Sequence, residues 1–132
     1  MYSNSTIKIY IIVGEESGEN IASTIISSLQ KYTSFKLFGI GGPKLNKKGL
    51  NSLFPYTELS IMGLVEIIPK IPKVLYLINK TAKHILEVKP DLIISVDSPD
   101  FSFRVLKKIK NINSSLKTLH IVAPTVWAWK PN

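Results

Sequence analysis

No cysteine occurs in these 132 residues, which excludes disulfides and thiolate-held metals and is compatible with a reducing compartment. Arginine is almost as scarce: Arg104 stands alone among 17 basic residues, the rest being lysine. Lysine meets phosphate as a hydrated point charge, whereas bidentate readout of bases favours arginine. Only nine acids oppose the bases, leaving a net charge of +8. That lysine excess suits an anionic membrane surface, a phosphorylated substrate or plain solubility, and no nucleic-acid partner is expected. Long apolar runs are missing too. None reaches the roughly 18 residues of a bilayer span, so any membrane contact is expected to be peripheral. The first apolar run carries Lys8 and ends in GEESGE, which is no signal-peptide cleavage site. Neither GxxxxGK(S/T) nor GxGxxG is present, and no His/Asp/Glu cluster has metal-ligand spacing. Neither a cofactor nor a metal is expected.

What is present is apolar and periodic. Hydrophobic residues make up 45% of the chain, enough to core one compact domain. The runs Ile7–Val13, Phe35–Ile40, Leu92–Val96 and Leu119–Val122 read as strands. Between them, Glu19–Lys31, Pro43–Lys48, Pro72–Lys89 and Phe101–Lys110 have helical spacing or helix punctuation. Leu50–Phe54 reads as a small extended piece. The order β-α-β-α-(loop)-α-β-α-β predicts an α/β fold: a mostly parallel, Rossmann-like sheet with flanking helices.

The unusual residues fall just past strand ends. Gly14–Gly18, Gly39–Pro43, Asp97–Asp100 and Pro124–Trp129 should gather at one rim of the sheet, where open parallel sheets bind ligands. In DLIISVDSPDFSF, Ser98-Pro99 forbids continuation of the strand, leaving Asp97 at the rim and Asp100 placed to cap the next helix. Asp97 is either a general base or a carboxylate that caps a turn or pairs with a lysine. The backbone N–H groups of Gly14, Glu15, Ser17 and Gly18, at a helix start, suit an anion or a hydroxyl ligand, or else form a tight turn. Glu15 and Glu16 would repel phosphate. Gly41 and Gly42 permit close backbone approach to a substrate or simply turn the chain. In the segment from Met62 to Leu77, Val65, Ile67, Ile68, Ile71, Val74 and Leu75 lie among lysines. That pattern fits interfacial membrane or acyl-chain contact, against a helix packed on the sheet. Trp127 and Trp129 line a cleft or plug the core. His84 is expected to face solvent, and His120 to be buried and satisfied.

Taken in order, GEESGEN, GIGGPKL, ELSIMGLVEII, KPDLIISVDSPDF and HIVAPTVWAWKP resemble the lipid-A-disaccharide synthase family over essentially the whole chain. The chain departs from the family's usual SGD at Ser17-Gly18-Glu19, one methylene longer with the charge kept. The resemblance implies a GT-B glycosyltransferase architecture, with residues 1–132 as its N-terminal, acceptor-side domain; the C-terminal UDP-sugar-binding domain is absent from these residues, and another chain is the expected source of it. It implies inverting transfer of 2,3-diacylglucosamine from UDP-2,3-diacylglucosamine to 2,3-diacylglucosamine 1-phosphate. The products are the β(1→6) lipid A disaccharide 1-phosphate and UDP. It further implies a peripheral location on the cytoplasmic face of the inner membrane. Asp97 would be the base, with Gly14, Glu15, Ser17, Gly18, Gly41, Gly42, Met62, Asp100 and Trp127 around the substrate. The competing expectation is a non-catalytic module that holds a lipid phosphate or a partner.

Overall fold

The computed structural model describes residues 6–59, 71–97 and 99–122. Its elements run β1 (Ile7–Val13), α1 (Glu16–Gln30), β2 (Phe35–Ile40), α2 (Pro43–Asn46), α3 (Ile71–Val88), β3 (Leu92–Val96), α4 (Pro99–Lys110) and β4 (Thr118–Ile121). The four strands form one parallel sheet in the order β2-β1-β3-β4. This is the α/β arrangement expected from the alternating pattern.

The two central strands show why they read as continuous apolar runs. Alternate residues of β1 serve opposite faces. Tyr10 and Ile12 join Ile93 beneath α3 and α4, packing on Leu77, Ile85, Val105 and Ile109. Ile9, Ile11 and Val13 join Ile94 and Val96 beneath α1 and α2, packing on Ala22, Ile26 and Leu45. A strand covered on both sides needs apolar residues at every position. The result is three layers, helices over sheet over helices. Fully burying each such side chain contributes about 1.5–3 kcal/mol.

Boundaries differ from the sequence reading at three helix starts; at α3 the difference is one residue, Ile71 in place of Pro72. Helix α1 begins at Glu16, three residues before Glu19, with Glu15 in extended conformation at its N-cap. Helix α4 begins at Pro99, so Asp100 lies inside the first turn and is not the cap. Proline at a first helical position sacrifices an N–H that would have had no partner anyway. Leu50–Phe54 forms no strand; an isolated bridge joins Gly41 to Pro55, the residue just past this stretch. Gly39 explains how β2 sits so near β1. Its φ is +136°, and an added Cβ would collide with the backbone of Ile11.

Candidate functional site

Strand order locates the site. From β1 the chain crosses to β2 on one side, and β3 then lies on the other side of β1 with β4 beyond it. The direction of winding therefore reverses between β1 and β3. In open parallel sheets the crevice beyond the carboxyl ends of such a pair is the ligand position. The loop after β1 is Gly14–Glu15, running into α1, and the residue after β3 is Asp97.

Gly18 and Asp97 meet at this point. A Cβ on Gly18 would stand 3.1 Å from the Val96 carbonyl oxygen, 3.3 Å from Val13 Cγ1 and 3.7 Å from Asp97 Oδ2. Only glycine lets the first turn of α1 approach the end of β3 this closely, which brings it against the Asp97 carboxylate. Asp97 is half-buried. Its backbone is left-handed, with φ +54°, and its N–H donates to the Ile121 carbonyl at 2.9 Å. The last residue of β4 thus holds the backbone of the rim carboxylate. An L-residue in this conformation is strained by about 1–2 kcal/mol, less for aspartate, and such strain concentrates at functional positions.

Around this centre, Glu15, Glu16 and Ser17 are exposed while Gly14 and Gly18 are buried. The Ser17 hydroxyl donates to Glu15 Oε1 at 3.2 Å, so two polar side chains at the rim order one another. Gly41 and Gly42 are also buried, and the space beside them is filled by the chain itself. Leu45 and Leu50 crowd Gly41, and the Tyr56 ring and Glu19 Oε2 crowd Gly42. Asp100 is exposed at the start of α4. Met62, Val65, Ile67, Ile68 and Trp127 lie outside the described residues, as does the side chain of Ile71. Of the remaining proposed membrane contacts, Val74 packs partly against the core, whereas Leu75 is 51% exposed and its neighbour Tyr76 59%.

Sequence reasoning passed over Glu19 as a site residue. Glu19 is 2% exposed, and its Oε2 accepts the Leu45 N–H at 3.1 Å. The N-cap of α2, Gly42, has no side chain to cap its helix, and Glu19 supplies that acceptor from α1. Asn20 accepts from Lys44 beside it. Helices α1 and α2, which follow two of the rim loops, are thereby tied together. Burial first, then the carboxylates of Glu19 and Glu16, hold the Tyr56 phenol above its ordinary pKa. The signal was available: Glu19 stands three and seven residues before Ala22 and Ile26, on the buried stripe of α1.

Both histidines depart from expectation. His84 does not simply face solvent; it is half-buried, and its Nδ1 lies 2.8 Å from the hydroxyl of fully buried Tyr10. Desolvation pulls the His84 pKa down, with Glu87 partly opposing. Burial pushes the Tyr10 phenol up. His120 sits on an edge strand and is half-buried. Its Nδ1 is 2.5 Å from Ser95 Oγ, its ring packs 4.8 Å from Phe103, and Nε2 has no hydrogen-bond partner among the described residues.

The family model for lipid-A-disaccharide synthetase matches residues 9–132. The chain belongs to the lipid-A-disaccharide synthase family. It is 43% identical over 125 residues to the lipid-A-disaccharide synthase of Ruegeria pomeroyi, covering 94% of this chain and 31% of that protein. The Rickettsia bellii enzyme of the same name is 45% identical over 124 residues, 93% of this chain and 32% of the relative. For Blochmanniella pennsylvanica the figures are 39% over 131 residues, 98% and 33%. The chain thus spans about a third of the length of these relatives. Among the described residues no helix is long and apolar enough to cross a membrane.

Proposed function

We propose that this chain is the acceptor-side part of an inverting glycosyltransferase that builds the lipid A disaccharide. The acceptor, 2,3-diacylglucosamine 1-phosphate, lies at the β1/β3 crevice with its C6 hydroxyl within reach of Asp97. As O6 bonds to the anomeric carbon of the UDP-linked diacylglucosamine, the Asp97 carboxylate takes the hydroxyl proton. The bond from that carbon to the UDP oxygen breaks, and UDP leaves with the electron pair. A diphosphate is a good leaving group, so one base suffices and configuration inverts to β(1→6).

The observation that carries this reading is the meeting of Asp97 with Gly18 at the point where the sheet's winding reverses. Family membership supports the choice of a nucleotide-sugar donor and a lipid-phosphate acceptor. Glu15 and Ser17 offer polar atoms at the rim for sugar hydroxyls, and Met62 and Trp127 belong to the same proposed site. Most UDP contacts come from the part of the relatives beyond the third that this chain spans. Val65, Ile67, Ile68, Ile71 and Leu75 meet acyl chains and the cytoplasmic surface of the inner membrane, which the enzyme touches peripherally.

The test is reconstitution: this chain mixed with the separately expressed C-terminal two thirds of a relative, UDP-diacylglucosamine and labelled acceptor. Disaccharide 1-phosphate and UDP in equal amounts are expected. Acceptor binding without turnover, in a mixture whose parts associate, would overturn the catalytic reading in favour of a binding module.

A further inference from the structure

Helices α3 and α4 lie side by side on one face of the sheet, and a groove of about 540 Å³ runs between them. Along α4 the groove is lined by Asp100, Phe103, Arg104, Lys107 and Lys108, positions three and four apart that share one helical face. Leu75 of α3 forms the opposite wall. Leu75 and Phe103 are each about half exposed, at 51% and 52%. Three cations therefore stand beside an open apolar wall, and Asp100 is the single acid lining this groove.

Two ordinary explanations fall short. Cations near a helix C-terminus complement its dipole, but that effect fades beyond the last turn. Lys107 and Lys108 lie in the last turn of α4, whereas Arg104 precedes it. Ion pairing is the other explanation, and among the described residues none of the three has an ion-pair partner. Like charges three or four apart on a helix destabilise it by a few tenths of a kcal/mol. The chain's only arginine stands in this cluster, and a guanidinium is the side chain that grips phosphate bidentately.

We propose that this groove holds the phosphate monoester of the acceptor lipid, with Arg104, Lys107 and Lys108 on the phosphate and Leu75 and Phe103 against its apolar part. The identity of the ligand rests on the function proposed above. The geometry suits it: the groove opens at Asp100, three residues past Asp97. Arg104 lies about 6 Å further along the helix axis, a step comparable to one pyranose ring. A hexose carries its C1 phosphate and C6 hydroxyl at opposite ends.

Amide NMR of the isotope-labelled 132-residue chain tests this, with glucosamine 1-phosphate as probe and glucosamine as control. The expected result is shifts at Arg104, Lys107 and Lys108 with a Kd of about 1 mM. These should be absent with glucosamine and weakened at least ten-fold by raised salt or by the triple change Arg104→Gln, Lys107→Gln, Lys108→Gln. Arg104→Gln alone should weaken them by a smaller factor, and it keeps the test open should the triple variant fold poorly. Shifts confined to Gly14–Gly18 and Asp97 would overturn the groove assignment while leaving the proposed function standing. No shift anywhere at saturating probe would overturn the groove and count against the proposed function as well. Binding to phosphatidylglycerol vesicles that needs Arg104, with no response to the sugar phosphate, would overturn the proposal and assign the groove to the bilayer surface.

Discussion

At the scale of single residues, polar side chains set into apolar surroundings carry both chemistry and pH dependence. Asp97 holds φ +54° at the end of a buried strand, a conformation that asparagine tolerates about as well as aspartate and alanine less well. Asn is therefore the substitution that removes the charge without disturbing the turn. His84 makes a separate prediction. Its folded pKa lies below its unfolded value near 6.5, because burial disfavours the charged ring. The unfolded chain consequently binds more protons in mild acid. Stability from this group is complete above about pH 6.5 and is lost as pH falls below it. Thermal melts from pH 8 to 5 should show the midpoint falling on the acid side, with a shallower fall in His84→Gln. Equal slopes for both proteins would show that His84 does not contribute.

At the scale of elements, the close seating of α1 on β3 is the feature most sensitive to a single atom. Gly18→Ala would gain about 1 kcal/mol of helix propensity. The new methyl, however, would stand 3.1 Å from the Val96 carbonyl, which is backbone and cannot step aside. Overpacking of this kind costs about 1–3 kcal/mol, so the expected net effect is destabilisation by about 1 kcal/mol, read as a lower denaturant midpoint. A raised midpoint would show that α1 can lift freely from the sheet. The elements themselves were legible because strands covered on both faces and helices covered on one leave different periods in the chain. Less legible were contacts between elements. That Glu19 caps α2 depends on where α1 comes to lie over Gly42, a relation no local pattern encodes. His84 was misplaced because three neighbouring polar positions of α3 mask how close it comes to Tyr10 of β1. The pairing of Gly18 with Asp97 could be anticipated only as two loops at one rim, since their distance is set by the winding order of the sheet.

At the scale of the whole molecule, the two proposals join the basic, partly apolar face formed by α3 and α4 to the rim at Asp97 in one substrate path. If the preceding segment meets acyl chains, Ile68→Asp with Ile71→Asp should lower partitioning onto anionic vesicles by at least ten-fold, about 1.4 kcal/mol, in a flotation assay. Unchanged partitioning would return that segment to the protein's interior. The role proposed for Asp97, at the point where the sheet's winding reverses, is to remove the acceptor's proton. The most direct measurement is single-turnover formation of disaccharide in the reconstituted enzyme, comparing Asp97→Asn with the parent at equal occupancy by both substrates. A rate reduced by about 10²–10⁴-fold, with the melting midpoint and acceptor affinity unchanged, is the predicted result. A rate within a few-fold of the parent would contradict the role of Asp97 as general base and leave it as a turn residue.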